Sequence, residues 1–314
     1  LLQIKREPMR WIQGFIIITL ITLSLYTAGC TSQVKQEKWQ QAGWITLGTT
    51  IAPPAPVHQV SKPGTIPGTN DTTIMPLLLS RIGVQVNLSL ETLDRNISGA
   101  ARTLGYSGIS GNVANNALEH LAASPAVIDA VTVANDGTIA AVMPARYQAV
   151  IGDNVSDQSH ILKVLSTGNP ALSDEFKTLE GFNASAVVHP VRSANGTVIG
   201  LLSVPFLPES LLSGAIVPLL DNRIYEVTVI QMDGRIIYAT NTSQVGMNSR
   251  LDPPFISRPD MTSFINQVLS ADSGRGTYLV HDTTTKTTGT VENYWTTVGL
   301  HGTRWRVILD TIRV

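Results

Sequence analysis

The chain has 314 residues, enough for two domains of ordinary size. Only 14% of them are charged and the net charge is −1, against about 25% charged in a typical soluble protein, so there is no electrostatic footprint for nucleic acid or for an acidic membrane surface. Serine and threonine are abundant instead, and seven Asn-x-Ser/Thr sequons (Asn70, Asn87, Asn96, Asn154, Asn183, Asn195, Asn241) allow an exported surface solvated by hydroxyls or sugars.

At the N-terminus Lys5, Arg6 and Arg10 precede an apolar run from Trp11 to Tyr26, followed by Thr27-Ala28-Gly29-Cys30. A basic segment, a short apolar core and a small-residue exit make residues 1–29 an export signal. The apolar core of about 16 residues falls short of the roughly 20 that span a bilayer. Cys30 is the only cysteine, and its setting resembles the lipobox of prokaryotic lipoproteins, although Thr27 stands where that motif prefers leucine. The resemblance implies a lipid on Cys30; an uncleaved signal anchor is the alternative. Either way the rest of the chain is expected outside the cell, tethered to the membrane. A lone cysteine forms no internal disulfide, so packing must supply the stability.

Residues 30–73 carry Pro53, Pro54, Pro56, Pro63 and Pro67 with Gly64 and Gly68, a density that excludes helix and favours an extended spacer. Trp39 and Trp44 within it are given no ligand role. From residue 74 the character changes. Leu79, Ile82, Val86, Leu90, Leu93, Ile97, Ala101 and Leu104 recur at three- and four-residue steps, one apolar stripe on a helix of roughly 30 residues. Such a helix is long enough to serve more than one module, or to form a coiled-coil seam with a neighbour. A second short helix is expected in "NVANNALEHLAAS", before Pro125.

Strands and turns follow. "VTVANDGTIAAV", from Val131, and "VTVIQMDGRIIYAT", from Val227, share an opening Val-Thr-Val, an Asp-Gly turn and a resumed β-branched run. Asp-Gly between such residues is a hairpin signal, because glycine accepts positive φ. Its repetition indicates one module present twice. After the first hairpin come a short helix stopped at Gly168, then a hairpin turning at Asn195-Gly196. "LPESLLSGAIVPLLDN" reads as a connecting helix bent near Pro218. The second module repeats the order: hairpin, helix in "RPDMTSFINQVLS", strand in "GRGTYLVHD", and a closing hairpin at His301-Gly302. The expected fold is α+β: a long N-terminal helix with a distal module over residues 74–212 and a proximal antiparallel-sheet module over 213–314.

This layout resembles the double Cache sensors, two PAS-like modules strung on one helix and found outside the membrane in chemoreceptors and sensor kinases. The likeness rests on "IGDNVSDQSHILKVLSTGNPALSD", "VVHPVRSANGTVIGLLSV", "DGRIIYATNTSQVGMN" and "WTTVGLHGTRWRVIL", in that order, and covers residues 74–314. It implies a small-molecule ligand held in the membrane-distal module, between the sheet and the helix-loop segment over it. Members that bind amino acids or amines often carry an arginine and an aromatic on the pocket helix, where this chain has Gln158 and His160. Where such members can carry an aspartate for the ligand's ammonium, this chain has Pro205 in "SVPF". The ligand class therefore stays open among organic acids, amino acids and amines.

Seven distal residues are candidates for the site: Arg146, Tyr147, Asp153, Gln158, His160, Ser185 and His189. Arg146 offers a fork to a carboxylate, Tyr147 an apolar face with a hydroxyl, and Gln158 and His160 neutral donors and acceptors. The competing readings are plain: solvated strand end for Arg146 and Tyr147, half-exposed helix position for His160, structural role for His189, turn or cap for Asp153. Tyr238, Trp295 and Trp305 read as core aromatics. The six histidines form no HExxH spacing, and neither a Gly-x-Ser-x-Gly elbow nor a Walker loop is present. The expectation is a binding protein without cofactor or metal, not an enzyme, acting with a separate membrane partner. A structural or adhesive surface protein is the competing class, and an exported hydrolase a remote one.

Overall fold

The computed structural model describes residues 71–179, 181–220, 225–281 and 288–311. The export signal, Cys30 and nearly all of the spacer, with Trp39 and Trp44, lie outside them. Helix α1 runs from Asp71 to Ser107, 37 residues. All eight residues of the apolar stripe read from the sequence are buried, none more than 8% exposed. They face the chain's own sheets and form its largest apolar core with residues of both. Burial of that stripe, at about 25 cal/mol per Å² of apolar surface, is what makes so long a helix stable. Helix α2, Asn112–Ala122, lies beside it and ends ahead of Pro125 as expected.

The distal sheet is built from β1 (Ala130–Val133), β2 (Ile139–Met143), β3 (Ala171–Leu172), β4 (Phe176–Lys177), β5 (Asn183–Arg192) and β6 (Val198–Phe206), in the order β2-β1-β6-β5-β3 with β4 also on β5. Helix α3, Ser159–Thr167, precedes β3 and stops at Gly168, which adopts φ 66. Strand alternation splits the sheet. Val187 and Leu202 face α1, whereas Ala186, Val188 and Leu201 pack with Ile161 and Val164 of α3. The connector α4, Pro208–Ile216, ends in a 3₁₀ turn at Val217–Leu219 around Pro218. It continues across residue 213, so the expected boundary there falls within a helix that the shared core buries at Leu212, Ala215 and Ile216.

The proximal sheet repeats the design with β7 (Tyr225–Gln231), β8 (Ile236–Ala239), β9 (Gly274–His281), β10 (Thr288–Leu300) and β11 (Thr303–Thr311), ordered β8-β7-β11-β10-β9. The short α5 (Pro253–Ile256) and α6 (Pro259–Ser270) cover its outer face as α3 covers the distal one. The repeat extends to single hydrogen bonds. Asp136 Oδ1 accepts from Thr138 N and Asp233 Oδ1 from Arg235 N, each at 2.9 Å. A following asparagine latches each turn: Asn154 Nδ2 donates to Asp136 O at 2.9 Å and Asn248 Nδ2 to Asp233 O at 3.3 Å. The loop residue just before each latch accepts from the second strand, Asp153 O from Ile139 N and Met247 O from Ile236 N.

Candidate functional site

Five of the seven candidates lie around α3 and the loop before it. His160, in the first turn of α3, is 5% exposed and its ring meets that of Phe176 at 4.4 Å and 40°. Burial lowers its pKa to about 4, so it is a neutral imidazole at physiological pH. Tyr147 packs on the same apolar cluster from the 3₁₀ segment Ala145–Val150. The exposed guanidinium of Arg146 sits 4.7 Å from the Tyr147 ring centroid. Gln158 occupies the N-cap position of α3 without a side-chain cap. Asp153 is exposed, and its backbone serves the repeated latch; the proximal counterpart is Met247, which marks the position as one the turn needs for its backbone.

Ser185 and His189 belong elsewhere. They share strand parity with Val187 and Val191, which puts them on the face toward α1, not the face under α3. Strand parity in the sequence does not say which sheet face is which, so it does not separate these two from the α3 residues. His189 Nε2 lies 2.6 Å from Asp94 Oδ1, and the same oxygen lies 2.7 Å from His301 Nε2. Asp94 comes from α1, His189 from β5 and His301 from the β10–β11 turn, where it adopts φ 51. Burial raises the Asp94 pKa, but the hydrogen bonds and charge of the two histidines together outweigh it and hold the carboxyl below its ordinary value. Thr303 Oγ1 donates to Leu172 O at 2.6 Å, and Arg235 Nη1 lies 3.7 Å from Glu175 Oε2, so three polar ties join the modules here.

Residues 88–208 match the family model described as HK/GC/Chemotaxis protein-like, sensor domain. That span holds every distal strand, α2 and α3. An extracellular ligand binding receptor from Desulfohalobium retbaense shares 30% identity at a TM-score of 0.64, covering 76% of this chain. The alignment covers 40% of that receptor, so this chain spans about two-fifths of its length. The fold is that of the double Cache sensors. The amino acid chemoreceptor PctB of Pseudomonas aeruginosa, solved with L-Gln, aligns over 76% of this chain and 89% of its own at 15% identity and TM-score 0.52. PctC of the same organism, solved with GABA, aligns over 77% and 100% at 17% identity and TM-score 0.54. No curated protein matches. Among the described residues, no helix is long and apolar enough to cross a membrane.

Within this double Cache fold, among the described residues, two cavities stand out, neither lined by Tyr147 or His160. One of about 420 Å³ lies between α4 and the β7–β8 pair, lined by Glu209, Ser213, Tyr225, Glu226, Tyr238 and Asn241 among others. The other, about 320 Å³, runs along α1 and β5 past Ser98, Arg102, Asn169, His189 and Arg192. Under α3 the space is filled by Val131, Val142, Val188, Ile161 and their neighbours. Two buried acids escaped sequence reasoning. Asp129, 1% exposed, stands beside Pro205, whose carbonyl accepts from Ile128 N at 2.9 Å. Its signal was an acid interrupting the apolar run "AVIDAVTV". Asp310, on β11, is held by Tyr278 Oη at 3.3 Å, and burial pushes its pKa up to about 8. Its Oδ1 and that of its cross-strand partner Asn293 are buried without a hydrogen-bond partner among the described residues.

Proposed function

We propose that this chain is an extracellular, membrane-tethered sensor that binds a small metabolite on the α3 face of its distal module and relays binding to a separate membrane partner. His160 carries the reading. It is a neutral imidazole buried in an otherwise apolar cluster, inside the segment that matches a sensor-domain family. A polar group in that setting fixes ligand orientation, because an unmatched buried donor or acceptor costs about 1–3 kcal/mol. Gln158 holds the N-cap position of the same helix, Tyr147 packs on the same cluster, and the exposed Arg146 beside Tyr147 offers a fork to a carboxylate. Asp129 beside Pro205 supplies a buried carboxylate near the place where the sequence lacks one, which favours a ligand with a cationic nitrogen. The structures with L-Gln and GABA make amino acids and amines the first compounds to test.

Because the α3 face is packed in this state, a ligand must part α3 and the Ala145–Val150 segment from the sheet. Thermal-shift screening of the full chain against amino acids, amines and organic acids tests the reading. A specific ligand raises the melting temperature with ln(1 + [L]/Kd). His160→Ala and Gln158→Ala abolish that shift, whereas Trp305→Phe, in the proximal core, keeps it. The same packed face favours a second reading, a surface protein that uses the fold without a ligand. An exhaustive screen with no shift would establish that one.

A further inference from the structure

We propose that Asp94, His189 and His301 form a binding site for a divalent transition-metal ion of zinc type, which clips the rod helix and both modules together. The claim is independent of any metabolite on the α3 face. Three observations carry it. The three donor atoms, one carboxylate oxygen and one ring nitrogen from each histidine, all lie within 4.8 Å of one another. Both imidazoles address the same oxygen, at 2.6 and 2.7 Å, with their rings nearly perpendicular at 77°. The donors come from positions 94, 189 and 301, on a helix, a strand and a turn, so the fold and not local sequence brings them together.

As a hydrogen-bonded bridge, each imidazole carries its proton on Nε2 and donates to Asp94. Binding an ion through Nε2 requires each ring to hold its proton on Nδ1 alone, which turns two donors into two lone pairs aimed at one point. Ligand bonds of about 2.0–2.2 Å put tetrahedral donors roughly 3.3 Å apart. Asp94 Oδ1 therefore has to withdraw by about 0.6 Å from each nitrogen while the two ring nitrogens settle at the same spacing, torsional changes open to a carboxylate and a turn histidine that are both partly exposed. Two imidazoles and one carboxylate suit zinc, cobalt, nickel or copper and not the oxygen-seeking calcium or magnesium. The cleft of about 320 Å³ along α1 and β5 reaches His189 and gives ion and water a way in, with room for the remaining ligands of an open site. The three ligands share no local motif, so the sequence shows no metal-ligand spacing.

Tag-free full chain, stripped with chelator, is titrated with ZnCl₂ by calorimetry and thermal shift, with MgCl₂ and CaCl₂ alongside. CoCl₂ serves as an absorbing reporter of nitrogen and oxygen coordination. The proposal expects zinc to raise the melting temperature where magnesium and calcium leave it unchanged. It expects His189→Ala, His301→Asn and Asp94→Asn each to weaken zinc binding at least about 100-fold, beyond the 10–100-fold typical of losing an outer-shell support. His301→Asn is chosen because asparagine accepts the left-handed turn conformation, and a chelator-treated melting curve near wild type shows that it folds. Zinc that gives no shift, or a shift and cobalt spectrum that persist in His301→Asn and Asp94→Asn, would overturn the site. Persistence would assign the metal to other histidines.

Discussion

His160 and Asp310 are buried titratable groups with opposite consequences for stability. The His160 pKa is about 4 in the fold against about 6.5 in an unfolded chain, so between those values the unfolded state binds more protons. Its effect is absent above pH 6.5, and stability falls as pH drops toward 4, by about 3 kcal/mol at about 1.4 kcal/mol per pKa unit. Urea unfolding of His160→Phe should lose that part of the acid slope; an unchanged slope would mean that the ring is solvated. Asp310 runs the other way. Its folded pKa near 8 lies above the ordinary 3.8, so the folded state is favoured below pH 4 and loses stability as pH rises through 8. Asp310→Asn should match wild type near pH 4 and exceed it by a growing margin up to pH 8. A variant less stable than wild type at pH 8 would show that the ionised carboxylate is the native form. His160 was legible in the sequence because a helix stopped by glycine displayed it. Asp94 was not, because its partners lie far along the chain and a charged residue on a rod reads as solvated.

At the scale of elements, almost every helix and strand was legible, since period and turn chemistry agree: the eight-residue stripe, the Asp-Gly and Asn-Gly turns, and the Gly168 stop. The short strands β3 and β4 were missed because two residues carry no period. The packing of elements depended on features that periodicity does not register. Gly105 in α1 faces Arg192 of β5, and a Cβ there would sit 2.0 Å from the Arg192 carbonyl oxygen. Gly105→Ala must therefore push the rod off the distal sheet. We expect about 1–3 kcal/mol of destabilisation despite alanine's better helix propensity, measured as a lower urea midpoint at unchanged slope. A neutral or stabilising result would show that rod and sheet part freely. The stripe expected to permit a coiled-coil seam is spent on the chain's own sheets. Ile74, Leu77, Val84 and Leu88 stay exposed on the same helix.

At the scale of the molecule, the two modules are not independent beads. The largest apolar core includes Leu90 and Ile97 of the rod, Val187 and Leu202 of the distal sheet, and Val229 and Trp305 of the proximal sheet. A core that crosses both modules makes unfolding cooperative across them, because neither sheet keeps its apolar face dry once the rod leaves. Leu90, fully buried at the middle of the rod, is the position that tests this. Leu90→Ala should cost about 2–5 kcal/mol and lower hydrogen-exchange protection equally in β5 and β11, one strand from each sheet. Loss confined to one strand would mean that the modules open separately and that the shared core does not couple them.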